Sequence, residues 1–121
     1  MEAVSTNKAP PAAGPYSVAI KSNGFVFTAG QIGLDLKGAM APGIAGQAEQ
    51  AIANIREVLK ASGTDISKVV KTTVFLASMD DFAAMNEVYA KHFVSKPARS
   101  TVAAKALPKG ALVEIDAVAE K

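Results

Sequence analysis

The chain has 121 residues, half of them hydrophobic, with no cysteine, one histidine and a net charge of +2. That length and composition predict one globular domain over residues 1–121. They exclude disulfides, thiolate chemistry and a histidine-rich metal site within one chain. No apolar run approaches the ~20 residues needed to cross a bilayer, and no basic run supplies an electrostatic footprint for nucleic acid. The first ten residues, "MEAVSTNKAP", have neither signal-peptide nor transit-peptide character, so a cytoplasmic protein is expected.

"APPAAGPYS" at positions 9–17 is rich in Pro and Gly and predicts an extended loop, because each proline biases the preceding residue away from helix. A short strand is placed before it, at residues 2–6. "YSVAIKSNGFVFTAGQ" then predicts a β-hairpin turning at Asn23-Gly24. The glycine-bearing "IGLDLKGAMAPG" predicts a loop. Ile44, Ala48, Ile52, Ile55 and Leu59 recur at helical spacing, with Gly63 where a helix would be capped.

"ISKVVKTTVFLAS" is rich in β-branched residues and predicts a strand. Both of its alternating sets, Val70/Thr72/Val74/Leu76 and Val69/Lys71/Thr73/Phe75, contain apolar residues. Two helices cover only one sheet face, so this pattern predicts that another subunit covers the other. A second helix is expected at residues 80–93, with Phe82, Met85, Tyr89 and Phe93 on one face. Asp80 and Asp81 are read as capping its start, and His92 as a surface residue near its end. "ARSTVAAKAL" and "ALVEIDAVAE" predict two closing strands joined through "PKG". The order is ββαβαββ, an α+β sandwich of one sheet with two helices on one face.

Eleven of the thirteen basic residues are lysines, which makes Arg99 in "KPARSTVAA" distinctive. Only a guanidinium offers a planar fork of donors matching a carboxylate. A period of two places Arg99 and Thr101 on one strand face, and Glu114 and Asp116 together in the last strand. If those strands pair, an arginine and a carboxylate line one cleft, or simply form a cross-strand ion pair. Tyr16 on its loop can present a hydroxyl, and Asn86 is either a buried hydrogen-bonding residue or a site residue. The glycine-rich pieces match no phosphate-binding loop, and no nucleophile elbow is present.

"AAGPYS", "FTAGQIG", "VVKTTVFLASMDDFAAMNEVYAKHF", "PARSTV" and "ALPKGALVEIDAVA", in this order, resemble the RidA family of imine and enamine deaminases, also called YjgF-type proteins. The resemblance covers positions 7–119. It implies a chorismate-mutase-like fold and a homotrimer with an inner β-barrel and clefts between subunits. The implied activity is hydrolysis of 2-aminoacrylate, or its tautomer 2-iminopropanoate, to pyruvate and ammonia, with no metal or cofactor. Such intermediates are released by pyridoxal-phosphate-dependent dehydratases and damage pyridoxal-phosphate enzymes.

By this resemblance Arg99 grips the substrate carboxylate, Glu114 handles the attacking water and its protons, and Tyr16 contributes its hydroxyl. Gly30 brings backbone close to the ligand, and Asn86 helps to hold the cleft. Many members have serine where this chain has Ala29 and cysteine where it has Thr101. One hydroxyl is therefore missing at 29, while Thr101 retains a hydrogen-bonding group. Two other functions stand beside the deaminase: a non-catalytic module binding small 2-oxo acids, and an endoribonuclease or translation inhibitor.

Overall fold

Asn23 and Gly24, with φ of 51° and 80°, form the turn between β2 (Ala19–Ser22) and β3 (Phe25–Thr28). Two successive positive φ values give the turn a twist that matches paired strands. The structure, a computed structural model, describes residues 1–121. Its remaining strands are β1 (Glu2–Val4), β4 (Gln31–Ile32), β5 (Val69–Leu76), β6 (Ala98–Ala103) and β7 (Val113–Glu120), and its helices are α1 (Gly43–Ala61) and α2 (Phe82–His92). The strands form one sheet in the order β1-β2-β3-β7-β5-β6, with β4 paired to β7. Only β5 and β6 are parallel, and α2 supplies the crossover that a parallel pair requires.

The core lies between the helices and one sheet face. Ile52, Ile55, Val58 and Leu59 of α1 pack with Val26, Val74, Leu76, Val113 and Ile115 of the sheet. Ser62 ends α1, and Gly63 beyond it takes a φ of 85°, the left-handed position that terminates many helices. Asn54, buried within α1, donates to the carbonyls of Ile32 and Leu34 at 3.2 and 2.9 Å, tying the helix to β4 and the segment after it.

Several sequence expectations are corrected. The start of α2 is preceded by a short 3-10 turn, Met79–Asp81, capped by Ser78 Oγ accepting from Asp80 N at 3.1 Å; Asp81 occupies the N-cap position of α2, but its side chain makes no capping bond. His92 is not simply solvated. It lies between Arg56 and Glu49 and joins α2 to α1. A β-bulge between Val69 and Lys71 breaks the alternation of β5, so Val69 is buried with Thr72, Val74 and Leu76 while Val70 is exposed.

The largest correction concerns the closing strands. β6 and β7 do not pair, because β5 runs between them and pairs with both. β6 is an edge strand. The sheet face away from the helices carries Phe25, Phe27, Val70 and Val102, all exposed in the single chain.

Candidate functional site

Arg99 sits on β6 directly across from Thr72, a fully buried residue of β5, and therefore on the helix side of the sheet. Its Nη1 donates to Asn86 Oδ1 at 2.8 Å. Its guanidinium carbon lies 4.7 Å from the Tyr89 ring centroid and 5.6 Å from that of Phe82. No carboxylate of the chain pairs with it, which overturns the cross-strand ion pair. An unneutralised guanidinium with donors to spare is a ready anion-binding group. Thr101, two residues along on the same face, has a buried Oγ1 with no hydrogen-bond partner. A groove of ≈ 420 Å³ lined by Tyr89, Phe93, Val94, Lys96, Pro97 and Arg99 opens beside the Arg99 guanidinium, and Thr101 is not part of its lining.

Glu114 lies on the opposite side. Its neighbours Val113 and Ile115 are buried beneath the helices, so the period of two turns Glu114 toward the open face. It lines a cleft of ≈ 430 Å³ together with Tyr16, Gly30, Ile32, Lys37 and Lys109. A Cβ on Gly30 would stand 2.8 Å from Glu114 Cδ, so glycine is needed there for the carboxylate to take this position. The expected approach of the Gly30 backbone is thus first of all an approach to Glu114. Tyr16 is half-exposed, and its hydroxyl oxygen accepts from Ala13 N at 3.2 Å, leaving the hydroxyl proton free to donate. Ala29 precedes Gly30, is half-buried and bonds through its N–H to Val18 O at 2.9 Å, but does not line the cleft.

Burial, reinforced by the charge of Asp116, pushes the Glu114 carboxyl above its ordinary value of 4.5. Asp116 is raised as well, chiefly by burial, while bonds from Thr73 and the Lys71 charge oppose the rise. Arg99 has no part in either shift. A partly buried, unpaired carboxyl with an elevated pKa has the character of a general acid–base.

Within one chain, then, the predicted residues form two groups rather than one cleft: Arg99, Asn86 and Thr101 on the helix side, and Glu114, Gly30 and Tyr16 on the other. Sequence reasoning passed over Tyr89 and Phe82, taking them only as core. Their spacing from Asn86, three and four residues, places all three near one another on the helix and was the available signal. Lys37 and Lys109 gave none.

The family model described as Endoribonuclease L-PSP matches residues 6–121. The chain is 50% identical over 121 residues to the chloroplastic Reactive Intermediate Deaminase A of Arabidopsis thaliana, covering 98% of this chain and 65% of that protein's length. It is 48% identical over 119 residues to the 2-iminobutanoate/2-iminopropanoate deaminase of Mus musculus, covering 96% and 88%. Its fold is similar to that of E. coli TdcF, solved with bound serine, with a TM-score of 0.95, 33% identity and coverage of 100% and 99%. The chain belongs to the Endoribonuclease L-PSP family, the RidA and YjgF-type proteins that its motifs resemble.

Proposed function

We propose that the protein is a 2-iminobutanoate/2-iminopropanoate deaminase. It hydrolyses small imino acids, and the enamines in equilibrium with them, to 2-oxo acids and ammonia. The observation that carries this assignment is the free fork of Arg99, held by Asn86 with no acidic partner in the chain. The 50% and 48% identity, over nearly the whole chain, to deaminases of plant and mouse supports it.

The chemistry needs little. Arg99 takes the substrate carboxylate in two parallel bonds and so orients the adjacent imine carbon. Starting from the imine in its protonated iminium form, Glu114 as carboxylate accepts a proton from the attacking water, which gives the carbinolamine. Glu114 then returns that proton to the nitrogen, ammonia leaves, and the carbinolamine hydroxyl proton passes to water as the carbonyl forms. Tyr16 donates its hydroxyl proton to the reacting group, Gly30 clears the space that Glu114 occupies, and Thr101 offers its unpartnered hydroxyl. Ala29 supplies no hydroxyl, which narrows the polar contacts available to a ligand.

Because Arg99 and Glu114 face opposite sides of one sheet, we place the complete site between subunits of a homotrimer, with Arg99 from one and Glu114 from the next. This assignment has the protein acting in the cytoplasm to clear reactive imines, and it calls for no metal or cofactor. A non-catalytic 2-oxo-acid binder would need Arg99 but not Glu114. The endoribonuclease of the family's name finds less support, since the chain has no basic run and its net charge is only +2.

The test is ammonia release from freshly generated 2-aminoacrylate by the wild type, Arg99→Ala, Glu114→Gln, and the two variants unfolded and refolded together. Each variant alone should be inactive. Mixed trimers should regain up to about a quarter of wild-type activity, because each shared site has that chance of receiving both intact residues. Inactivity of the mixture would return both residues to one chain, full activity of Glu114→Gln would remove Glu114 from the chemistry, and an inactive wild type that still binds 2-oxobutanoate would leave only the binding module.

A further inference from the structure

Arg99 is anchored more elaborately than one hydrogen bond requires. Tyr89, only 8% exposed, places its ring 4.7 Å from the guanidinium, and Phe82 flanks it at 5.6 Å. The Tyr89 ring is itself stacked on Phe93, with centroids 4.3 Å apart and planes 26° from parallel. Its hydroxyl is bonded to Thr72 Oγ1 at 2.7 Å. Thr72 is the β5 residue directly across from Arg99 in the strand register. The three residues therefore close a loop: backbone pairing joins Arg99 to Thr72, a hydroxyl bond joins Thr72 to Tyr89, and the ring of Tyr89 faces the Arg99 cation.

We propose that Tyr89, tethered by Thr72 and assisted by Phe82, is a positioning residue for Arg99, fixing the guanidinium so that its free donors face the substrate carboxylate. The inference rests on the carboxylate-binding assignment above. An aromatic face attracts a cation and constrains its plane without consuming an N–H. Asn86 consumes one N–H, so four of the five donors remain for the ligand. A lysine-like swinging cation would lose rotamer entropy at each binding event, whereas the held fork has lost it on folding. The bond between the Tyr89 and Thr72 hydroxyls is what stops the ring from sliding out from beneath Arg99.

The experiment pairs steady-state kinetics with calorimetric titration of 2-oxobutanoate, the acid product of 2-iminobutanoate, which binds without turnover. Tyr89→Leu should raise KM and the 2-oxobutanoate Kd about tenfold, with kcat changing less than about threefold, as expected when a contact common to ground and transition states is weakened. In an Arg99→Ala background the same substitution should cause no further loss of binding, because its effect passes through Arg99. Tyr89→Phe, which keeps the ring and cuts the tether, and Phe82→Leu should each raise Kd about threefold; they carry the test if Tyr89→Leu does not fold.

Unchanged Kd in Tyr89→Phe and Phe82→Leu would overturn the proposal, as would losses that add to that of Arg99→Ala. If Arg99→Ala abolishes binding while the aromatic variants bind normally, Arg99 keeps its function and only the positioning role falls. If Arg99→Ala binds 2-oxobutanoate as well as the wild type, the carboxylate assignment falls and the positioning role with it.

Discussion

Glu114 is a residue at which folding and chemistry are opposed. In the unfolded chain its carboxyl titrates near 4.5, and in the folded chain burial and Asp116 move it higher. Between those two values the folded protein binds more protons than the unfolded chain. Stability attributable to Glu114 therefore falls as pH rises through the window, and the loss is complete above the raised pKa. Asp116, raised from 3.8, acts in the same direction. Glu114→Gln removes the titration without removing much volume. It should melt above the wild type at about pH 7 and close to it at about pH 3.5, with activity lost by about 100-fold or more. Thermal unfolding across that pH range, read beside ammonia release, checks both halves. A melting difference that shrinks as pH rises would mean that Glu114 is stabilised rather than penalised by its surroundings. The chain would be tolerating a small folding penalty to keep an available proton near the chemistry.

At the scale of elements, the two-residue strand β4 holds the Glu114 cleft together, and the glycines on either side of it do different things. Gly33 abuts α1, where an added Cβ would lie 2.7 Å from the Gln47 Cα; Gly30 abuts the Glu114 side chain at 2.8 Å. Backbone cannot yield and a flexible side chain can. Gly33→Ala should therefore cost about 1–3 kcal/mol of stability in urea unfolding, with activity largely retained in the folded fraction. Gly30→Ala should keep its urea midpoint but lose most of its activity as Glu114 is displaced. The reverse pattern would mean that the helix, not the carboxylate, depends on Gly30. The two glycines look alike in "AGQIG", and only the elements they touch separate them. The hairpin, α1, α2 and the two long strands were legible because their signals are local: Asn-Gly, helical spacing and β-branched runs. β4 was not, since two residues carry no period and their strand character comes from pairing with Gln31↔Ile115 and Ile32↔Glu114. For the same reason the separation of Arg99 from Glu114 could not be read. Adjacency of strands in sequence suggested pairing, but the long-range insertion of β5 between β6 and β7 decides which face each residue occupies.

For the whole molecule, that separation and the exposed apolar face belong to one problem. A single chain leaves Arg99 and Thr101 incomplete at one edge of the sheet, Glu114 and Tyr16 incomplete on the other side, and Phe25, Phe27, Val70 and Val102 in water. Apolar side chains gathered on one sheet face mark an interaction surface, and an isolated edge strand invites a partner. The closed ring of copies proposed above would answer all three conditions together: it would cover the apolar face, give the β6 edge a neighbour and bring one subunit's arginine to the next one's carboxylate. Phe27 tests this independently of the site, because it lines neither cleft and is 45% exposed in the single chain. Phe27→Asp places a charge where the proposed assembly would bury it, at a cost of several kcal/mol per subunit, about enough to dissociate it. The expected product is a folded monomer by circular dichroism and light scattering, with activity reduced about 100-fold or more although Arg99 and Glu114 are unaltered. If the monomer instead remains fully active, a single chain suffices for the reaction, and the opposed faces of its sheet must be bridged by the substrate or by motion. If the variant remains trimeric, the apolar face lies outside the contact, and assembly must proceed through the edge of β6.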